Sequence, residues 1–424
     1  MLHYMQLIIF VPLLLPLLLL NPIQGAYSLS TPSCISYNPA AKSITVNCTS
    51  ANLSYLNNQI NDPSILYKQE EQQSPFSSPS SSNNIWILNS NLTIAQGATF
   101  YINSTDTAWL KISSKDAISY SNGNAAYGIQ VFGSLKIDSV KITSWNSETN
   151  DYSTYMTNES KSTRGPFIIV QKGASGTTDI TNSEIAYLKW LSYFGGNGSV
   201  LRGDNIHHLS FGFYSKDVSD MILEGNNVHD NGIYGIDPHT GTHDMIIRNN
   251  DVHNDGSIDI ICSLNCYNIT IEGNNVSNNR NNITTGSQFP IGIMFSRNTS
   301  NSIARNNFVE NESKGISVTT GSHNNEINNN TVSNSGRGIY VNHGSSQNTV
   351  HGNTIINPSI FGLDVDTGAF GNMFYSNLIN NAQHFGINIQ SSDIANNTFK
   401  NNKLLNSSST NYQNSNSIVG TEGK

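Results

Sequence analysis

Gly315-Ile316-Ser317-Val318 is followed 23 residues later by Gly338-Ile339-Tyr340-Val341, and another 24 residues later by Gly362-Leu363-Asp364-Val365. In each segment a Gly precedes a short alternation of apolar and variable residues. A period near 23 residues with several short β-type runs is typical of a parallel β-helix, whose stacked turns share a core that no single turn could bury. The pattern recurs along the second half of the chain, at Gly212, Gly235, Gly292, Gly315, Gly338, Gly362 and Gly386.

A second pattern keeps the same period and places Asn pairs beside apolar residues, as in Gly225-Asn226-Asn227-Val228 and Gly273-Asn274-Asn275-Val276. Asn tolerates left-handed φ and hydrogen-bonds through its side chain, so we expect these residues at bends, stacked in ladders. A leucine-rich horseshoe has a similar period, but the chain lacks its Leu spacing and its helices. The sequence therefore predicts an all-β fold, a right-handed parallel β-helix of about 23–24 residues per turn with a small N-terminal cap.

The chain divides into four predicted segments. Residues 1–25 are a signal peptide, 26–84 an N-terminal cap with a Ser-, Pro- and Gln-rich linker, 85–408 the β-helix and 409–424 a flexible polar tail.

One turn of the repeat is longer than the others. Asp259 fills the Gly position of this turn, and the interval from Asp259 to Gly292 exceeds the usual period by about nine residues. The excess falls in 278–288, and we expect it to form a loop on one face, often the binding face.

The N-terminus predicts export. The apolar run Leu7–Leu20 is shorter than the roughly 20 residues of a membrane span, and the small residues Gly25 and Ala26 follow it. An uncleaved anchor is the alternative, and no later segment is long enough to span a membrane. Asn-x-Ser/Thr sequons fit an exported glycoprotein, secreted or at the cell surface, and occur at Asn47, Asn52, Asn91, Asn103, Asn268 and Asn282 among others.

Charge and cysteine content limit the partners. Only 12% of residues are charged and the net charge is −8, which gives no support for nucleic-acid binding. An anionic polymer would have to be received by a local basic patch, and we expect a monomer.

The cysteines form two local pairs, Cys34/Cys48 and Cys262/Cys266, both of which could be disulfides outside the cytoplasm. A zinc site is disfavoured because no His or Cys lies at ligand spacing from both pairs.

Alignment of the turns on their Gly position predicts one unusual surface patch. Residues one and three after the Gly are usually apolar and point inward, so residues two and four point outward. In the Gly235 turn these are Asp237 and His239, and in the preceding turn they are Tyr214 and Lys216. Stacking then places Tyr214 beside Asp237 and Lys216 beside His239. The alternative is that such a His is merely solvated.

Histidines concentrate around this patch. Six of the 11 lie between His207 and His253. His229 and His253 occupy equivalent points of successive Asn bends, and we interpret those two as structural or as part of a rim.

From about Ile180 to Asn307 the chain resembles the mannuronan C5-epimerases, which are right-handed parallel β-helices. Their shared motif, Tyr-Gly-Ile/Phe-Asp-Pro-His, is intact at Tyr234–His239, and Phe211–Tyr214 and Asp259–Ser263 agree as well. The resemblance implies an enzyme that acts on an anionic polysaccharide and converts β-D-mannuronate to α-L-guluronate residues.

The resemblance also implies roles for individual residues. His239 and Tyr234 fill the base and acid roles, in an order that the sequence does not fix. Asp237 orients His239 or hydrogen-bonds the substrate carboxyl group. Tyr214 is a reserve phenol, and Pro238 belongs to the motif at the substrate-binding site.

One position departs from the family. Some members have an Arg directly after the Ser of the next turn, where it neutralises the substrate carboxylate, and this chain has Leu264 there. Arg297 occupies the same column one turn later, and Lys216 stacks on His239 from the other side. We therefore expect Lys216, Arg297 or both to supply the cation.

Other functions remain open. A polyuronate lyase would use the same residues to expel the C4 substituent, and a non-catalytic solenoid would only bind polysaccharide. A glycoside hydrolase needs carboxylates converging at about 5–10 Å, for which only Asp217 or Asp259 could join Asp237. No motif requires a metal or cofactor, although Asp364 and Asp366 could ligate calcium.

Overall fold

The computed structural model describes residues 33–69, 84–114, 126–154, 165–278, 290–366, 368–389, 396–407 and 419–420. These residues form three long sheets of 14, 13 and 15 strands, here named A, B and C. From residue 91 onward the chain visits A, B and C in turn, and each strand pairs in parallel with its equivalent in the next coil. This is the predicted parallel β-helix.

Several predicted segments lie outside the described residues: the signal peptide, most of the Ser-, Pro- and Gln-rich linker, nearly all of the excess loop 278–288 and most of the polar tail. Within the described part of the chain, no helix has the length and hydropathy needed to cross a membrane.

The N-terminal cap contains one short helix, which the sequence did not predict. Helix α1 begins after Asn52, whose side chain accepts a hydrogen bond from the Tyr55 amide, and it ends at the left-handed Asn61. It buries Leu53 and Leu56 against the core. The elements of the cap are β1 (Ile35–Asn38), β2 (Ser43–Val46), β3 (Ala51–Asn52), α1 (Leu53–Ile60) and β4 (Leu66–Lys68).

The cap is continuous with the coils. Strand β2 pairs with a strand of sheet A, β3 with one of sheet B and β4 with one of sheet C. The pair β1–β2 and the pair of β4 with β5 (Ile85–Leu88) are antiparallel, and the other strand pairs of the described residues are parallel. Residues 34 onward therefore form one compact unit.

Short strands make up the coils, three to each coil. In chain order they are β5 (Ile85–Leu88), β6 (Asn91–Ile94), β7 (Thr99–Asn103), β8 (Trp109–Ser113), β9 (Gly128–Val131), β10 (Ser134–Asp138), β11 (Lys141–Trp145), β12 (Phe167–Val170), β13 (Thr178–Thr181), β14 (Glu184–Ala186), β15 (Trp190–Tyr193), β16 (Val200–Arg202), β17 (Asn205–His207), β18 (Phe211–Lys216), β19 (Ile222–Glu224), β20 (Asn227–His229), β21 (Tyr234–His239), β22 (Ile246–Arg248), β23 (Asp251–His253), β24 (Ile258–Ser263), β25 (Thr270–Glu272), β26 (Asn275–Ser277), β27 (Ile291–Ser296), β28 (Ile303–Arg305), β29 (Phe308–Glu310), β30 (Lys314–Val318), β31 (Glu326–Asn328), β32 (Thr331–Ser333), β33 (Arg337–Val341), β34 (Thr349–His351), β35 (Thr354–Ile356), β36 (Phe361–Val365), β37 (Met373–Tyr375), β38 (Leu378–Asn380), β39 (Phe385–Ile389), β40 (Thr398–Lys400), β41 (Asn402–Leu405) and β42 (Val419–Gly420).

Aliphatic columns fill the interior of the coils. One continuous apolar cluster extends from Ile35 in the cap to Leu404 in β41. Close packing of this kind holds the outward residues of sheet A in fixed positions. The residues predicted to point inward are all fully buried: Ile236, Ile260, Ile293, Ile316, Ile339, Cys262, Phe295, Val318 and Val341.

Asparagine ladders close the bends, as predicted. The side-chain amide of Asn226 donates to the side-chain oxygen of Asn250 at 2.9 Å, and Asn250 donates to Asn274 at the same distance. Every rung is buried, so each amide group is satisfied by its neighbours rather than by water. This ladder continues through Asn307, Asn330, Asn353, Asn377 and Asn402.

The cysteine prediction is half right. Cys34 and Cys48 form a disulfide that joins the ends of the β1–β2 hairpin. Cys262 and Cys266 are free buried thiols, so the second predicted disulfide is wrong. Cys262 points into the core from β24, whereas the Cys266 thiol hydrogen-bonds to the Ser263 carbonyl oxygen, with 3.0 Å between sulfur and oxygen.

Candidate active site

Strands β18 and β21 of sheet A carry the predicted patch. Tyr214 pairs with Asp237, and Lys216 pairs with His239. The alignment of turns had predicted both neighbours, so that prediction is confirmed. Phe211 pairs with Tyr234 in the same ladder, which adds an aromatic ring beside the first residue of the motif.

A cavity of about 520 Å³ opens on this outer face of sheet A. It brings together four of the seven predicted site residues, whereas Lys216, Pro238 and Arg297 do not line it. The residues that line it are Ile169, Trp190, Ser192, Phe194, Phe211, Tyr214, Tyr234, Asp237 and His239.

Asp237 lies at the bottom of the cavity and is only 1% exposed. Neither of its carboxyl oxygens has a hydrogen-bond partner among the described residues. Burial raises the pKa of Asp237 well above its ordinary value, and the nearby charge of Arg297 opposes this only in part. Burial therefore favours the neutral carboxylic acid form of Asp237, whose hydroxyl can donate to a ligand.

His239 is held by its Nδ1 atom. This nitrogen lies 2.7 Å from Thr240 Oγ1 and 3.3 Å from the Tyr214 hydroxyl, and Nε2 has no hydrogen-bond partner among the described residues. Burial lowers the pKa of His239, and the charges of Arg297 and Lys216 lower it further. The imidazole is therefore neutral near pH 7, and when Nδ1–H donates to Thr240 the Nε2 lone pair is free to accept a proton.

Two phenols flank Asp237, and both are protonated. Burial raises the pKa of Tyr214 to about 12. Burial also raises the pKa of Tyr234, which packs against Ile258, Ile261 and Ile291. Tyr234 is the first residue of β21 and lies in the cavity wall.

The two predicted cations occupy different positions. Lys216 is exposed at the end of β18, next to His239 in the sheet register. Arg297 follows β27 with a φ of 52°, and Leu264 follows β24 with a φ of 60°. Because Ser263 and Ser296 pair directly, Leu264 and Arg297 are equivalent positions of neighbouring coils, as predicted. The charge of Arg297 nevertheless lowers the pKa of both Asp237 and His239.

Pro238 does not reach the cavity. It is buried opposite Ser215, and its carbonyl oxygen accepts a hydrogen bond from the Cys266 thiol at 3.4 Å. Because the side chains of a strand alternate, Pro238 points away from the face that carries Asp237 and His239.

The acidic residues considered for other functions do not converge on the cavity. Asp364 forms an ion pair with Arg337 at 2.6 Å and accepts a hydrogen bond from Asn388 at 2.7 Å, so its oxygens do not fit a calcium site. Asp259 is fully buried beside Glu312, away from the residues that line the cavity.

His229 and His253 stack on sheet C, with ring centroids 4.9 Å apart, and His229 stacks on His207 in turn. Asn205 and Asn227 hold their Nε2 atoms at 3.1 Å. These histidines form a ladder outside the lining of the cavity, in agreement with the structural interpretation.

Sequence reasoning missed the aromatic wall of the cavity. Trp190 and Phe211 stack with ring centroids 5.5 Å apart, and Phe194 completes the wall. A signal was present, because Phe211 occupies the column of Tyr234 one turn earlier. Trp190, Phe194 and Phe211 carry no group that titrates, so the pattern of titratable residues did not predict them.

Comparison with known proteins adds a family. Residues 168–355 and 292–422 match the model of the right handed beta helix region, and together these matches cover more than half of the chain. The chain belongs to the right-handed β-helix family. The predicted handedness is thereby confirmed.

Among solved structures, this right-handed β-helix protein is similar to the periplasmic alginate epimerase AlgG, with a TM-score of 0.70, 19% identity and 85% of each chain covered. It is also similar to the A-module of the Azotobacter vinelandii mannuronan C-5 epimerase AlgE6, with a TM-score of 0.54, 15% identity and coverage of 78% of this chain and 89% of that chain. At such identities the likeness concerns the fold. A search of curated proteins finds no match.

Proposed function

We propose that this protein modifies an anionic polysaccharide as a C5-epimerase, converting β-D-mannuronate to α-L-guluronate residues within a polyuronate chain. One observation carries the proposal: the motif residues Tyr234, Asp237 and His239 line one cavity, in which burial raises the pKa of the carboxyl group and lowers the pKa of the imidazole. The likeness of the fold to two epimerases supports the same reaction.

The chemistry requires a base and an acid on opposite faces of the sugar. The C5 proton is a weak acid because its removal leaves a dianion, so the site must also stabilise charge on the substrate carboxylate. The neutral His239 accepts the proton from one face. Tyr234, on the other side of Asp237 along β21, delivers its phenolic proton to the opposite face. The resulting imidazolium and phenolate return to their starting states by proton exchange with water.

Asp237 and the cations stabilise the intermediate. As a neutral acid, Asp237 donates a hydrogen bond to the substrate carboxylate, and this bond strengthens as negative charge develops. Lys216 and Arg297 provide positive charge at longer range, in place of the Arg that Leu264 replaces. Tyr214 positions His239 through the contact between its hydroxyl and Nδ1.

The test is incubation of the protein with polymannuronate in D₂O, followed by proton NMR. We expect guluronate signals to appear with deuterium at C5, without shortening of the chains. His239→Gln should lower the rate by about 10³-fold and leave polymer binding intact, because general-base catalysis contributes roughly 10²–10⁴-fold. His323→Gln is the matched control, since this residue lies outside the cavity lining.

The alternatives give other results in the same experiment. An unsaturated product that absorbs in the ultraviolet would identify a lyase. Binding of the polymer with no change in its NMR spectrum, in the wild type as in His239→Gln, would identify a binding protein. Either result would refute the epimerase.

We further propose that the protein is exported and glycosylated. The apolar run Leu7–Leu20 and the Cys34–Cys48 disulfide support export, because disulfides persist in oxidising compartments. N-terminal sequencing of the mature protein checks cleavage near Ala26, and an intact Met1 would contradict it.

A further inference from the structure

A second cavity, of about 370 Å³, opens on the same face of sheet A, along strands β27, β30 and β33. Arg297, Lys314 and His343 line it together with polar and aromatic side chains that include Tyr340. Among its described lining residues there is no Asp or Glu. The wall of this cavity, here named the Lys314 cavity, therefore carries positive charge without a matching carboxylate.

Lys314 is the central charge of this cavity. Its ammonium lies 5.0 Å from the centroid of the Tyr340 ring, and it forms no ion pair with any described residue. Burial lowers the pKa of Lys314, the adjacent charge of Arg337 lowers it further, and the charge of Asp364 opposes this shift in part. A half-buried cation of this kind is costly unless an anion is bound beside it.

Arg337 does not serve the cavity in the same way. Its guanidinium forms an ion pair with the buried carboxylate of Asp364, at 2.6 Å, and packs over the Phe361 ring. Asp364 also accepts a hydrogen bond from Asn388, so both of its carboxylate oxygens have a partner. Asp364 thus forms its ion pair with Arg337, and the Lys314 ammonium, which has no ion pair among the described residues, is available to a ligand.

The two cavities on the outer face of sheet A differ in chemistry. On the side of the N-terminal coils the first cavity is walled by Trp190, Phe194 and Phe211, which offer stacking surfaces for sugar rings. On the other side lie Arg297 and Lys314, which favour anions. A substrate that lies along sheet A therefore meets apolar faces at one end and positive charge at the other.

We propose that the Lys314 cavity binds the carboxylate of a second uronate unit of the same substrate chain, a few units away from the one held at His239. This proposal rests on the proposed function and adds a charge requirement to it. The substrate must carry a charged uronate unit where it lies over the C-terminal coils. Where it lies over the N-terminal coils, a sugar ring is bound by stacking on aromatic side chains.

The register of sheet A sets the distance. Tyr234 pairs with Ile258, Ile258 with Ile291, and Ile291 with Lys314, so Lys314 lies three strands beyond Tyr234. At about 4.8 Å per strand this amounts to roughly 14 Å. A 1,4-linked pyranose unit advances by a length similar to one strand spacing, so the second carboxylate belongs to a unit about three positions along.

The experiment is calorimetric titration of the full-length protein with mannuronate oligomers of increasing length. We expect the affinity to rise by about tenfold, or about 1.4 kcal/mol, at the length that first reaches Lys314. This step should be absent in Lys314→Met and restored in Lys314→Arg. It should weaken with added salt. Lys400→Met, an exposed lysine on sheet B, is the matched control and should keep the step.

Neutral mannose oligomers of the same lengths separate charge from stacking. A step of equal size with these oligomers, or a step that persists in Lys314→Met, would overturn the proposal. Circular dichroism of Lys314→Met establishes that the variant is folded. A length step without any C5 inversion would uphold the Lys314 cavity and refute the epimerase, and inversion without a step would do the reverse.

Discussion

The active-site cavity and the Lys314 cavity are built on the same columns of sheet A, but their lining side chains differ in charge. In the first, burial favours the uncharged forms of Asp237 and His239, as the proposed proton transfer requires. In the second, Arg297 and Lys314 line the wall with no carboxylate among the described lining residues, so that an anion can be held. The backbone is equivalent in both regions, and the side chains alone assign proton transfer to one and binding to the other.

This difference makes the protonation state of Asp237 the first point to test. If Asp237 acts as a neutral donor, Asp237→Asn keeps a donor and Asp237→Leu removes it. We expect Asp237→Leu to lower kcat by about 10²–10³-fold, as loss of one donor to a developing anion does, and Asp237→Asn to lower it less. Steady-state rates from NMR check the order. Equal losses in the two variants would show that a charged carboxylate is needed instead.

A smaller effect should follow from removal of one cation near the neutral site. Lys216→Met removes a charge that lowers the pKa of His239, so that pKa should rise. Because the base must be neutral, activity falls as the pH drops through this pKa. The acidic limb of the kcat/KM profile should therefore move to higher pH, by less than about one pH unit.

Lys400→Met, on sheet B, is the control and should leave the limb in place. A limb that stays in place or moves to lower pH in Lys216→Met would contradict the assignment of His239 as the base.

The smallest effect is expected in the coil between the two cavities. Asp259 stands there where neighbouring coils have Gly, and burial together with the charge of Glu312 raises its pKa well above the ordinary value. A raised pKa in the folded state contributes stability that is complete below the unfolded-state pKa. This stability is lost as the pH rises through the folded-state pKa.

Asp259→Asn should flatten this decline in the free energy of unfolding by about 1.4 kcal/mol for each unit of pKa shift removed, and leave turnover unchanged. Urea unfolding at several pH values measures it. An equal dependence of stability on pH in the wild type and in Asp259→Asn would contradict this role.

Much of this arrangement could be predicted from the sequence, because residues one period apart in the sequence of a solenoid are neighbours in adjacent coils. The period alone placed Tyr214 beside Asp237 and Lys216 beside His239. It also predicted the inward columns and the Asn ladders at the bends. Alternation along a strand says which way a side chain points, and here that information was correct.

What alternation does not reveal is how deeply an outward side chain is covered. Asp237 points outward and is still almost completely buried, because bulky neighbours such as Tyr214 and Tyr234 rise around it. Depth depends on the sizes of side chains in adjacent coils. The predicted disulfide between Cys262 and Cys266 was wrong for a related reason, since spacing in the chain does not give the direction in which each thiol points.

Leu264 and Arg297 follow paired serines in the same left-handed conformation. Exchange of the two residue types would move a positive charge by one strand spacing, about 4.8 Å, and would leave the backbone as it is. Two point substitutions, with no insertion or deletion, would thus shift the position at which a polymer is gripped by about one sugar. In this architecture the register between enzyme and polymer can therefore evolve in whole units of the substrate, independently of the residues that carry out the reaction.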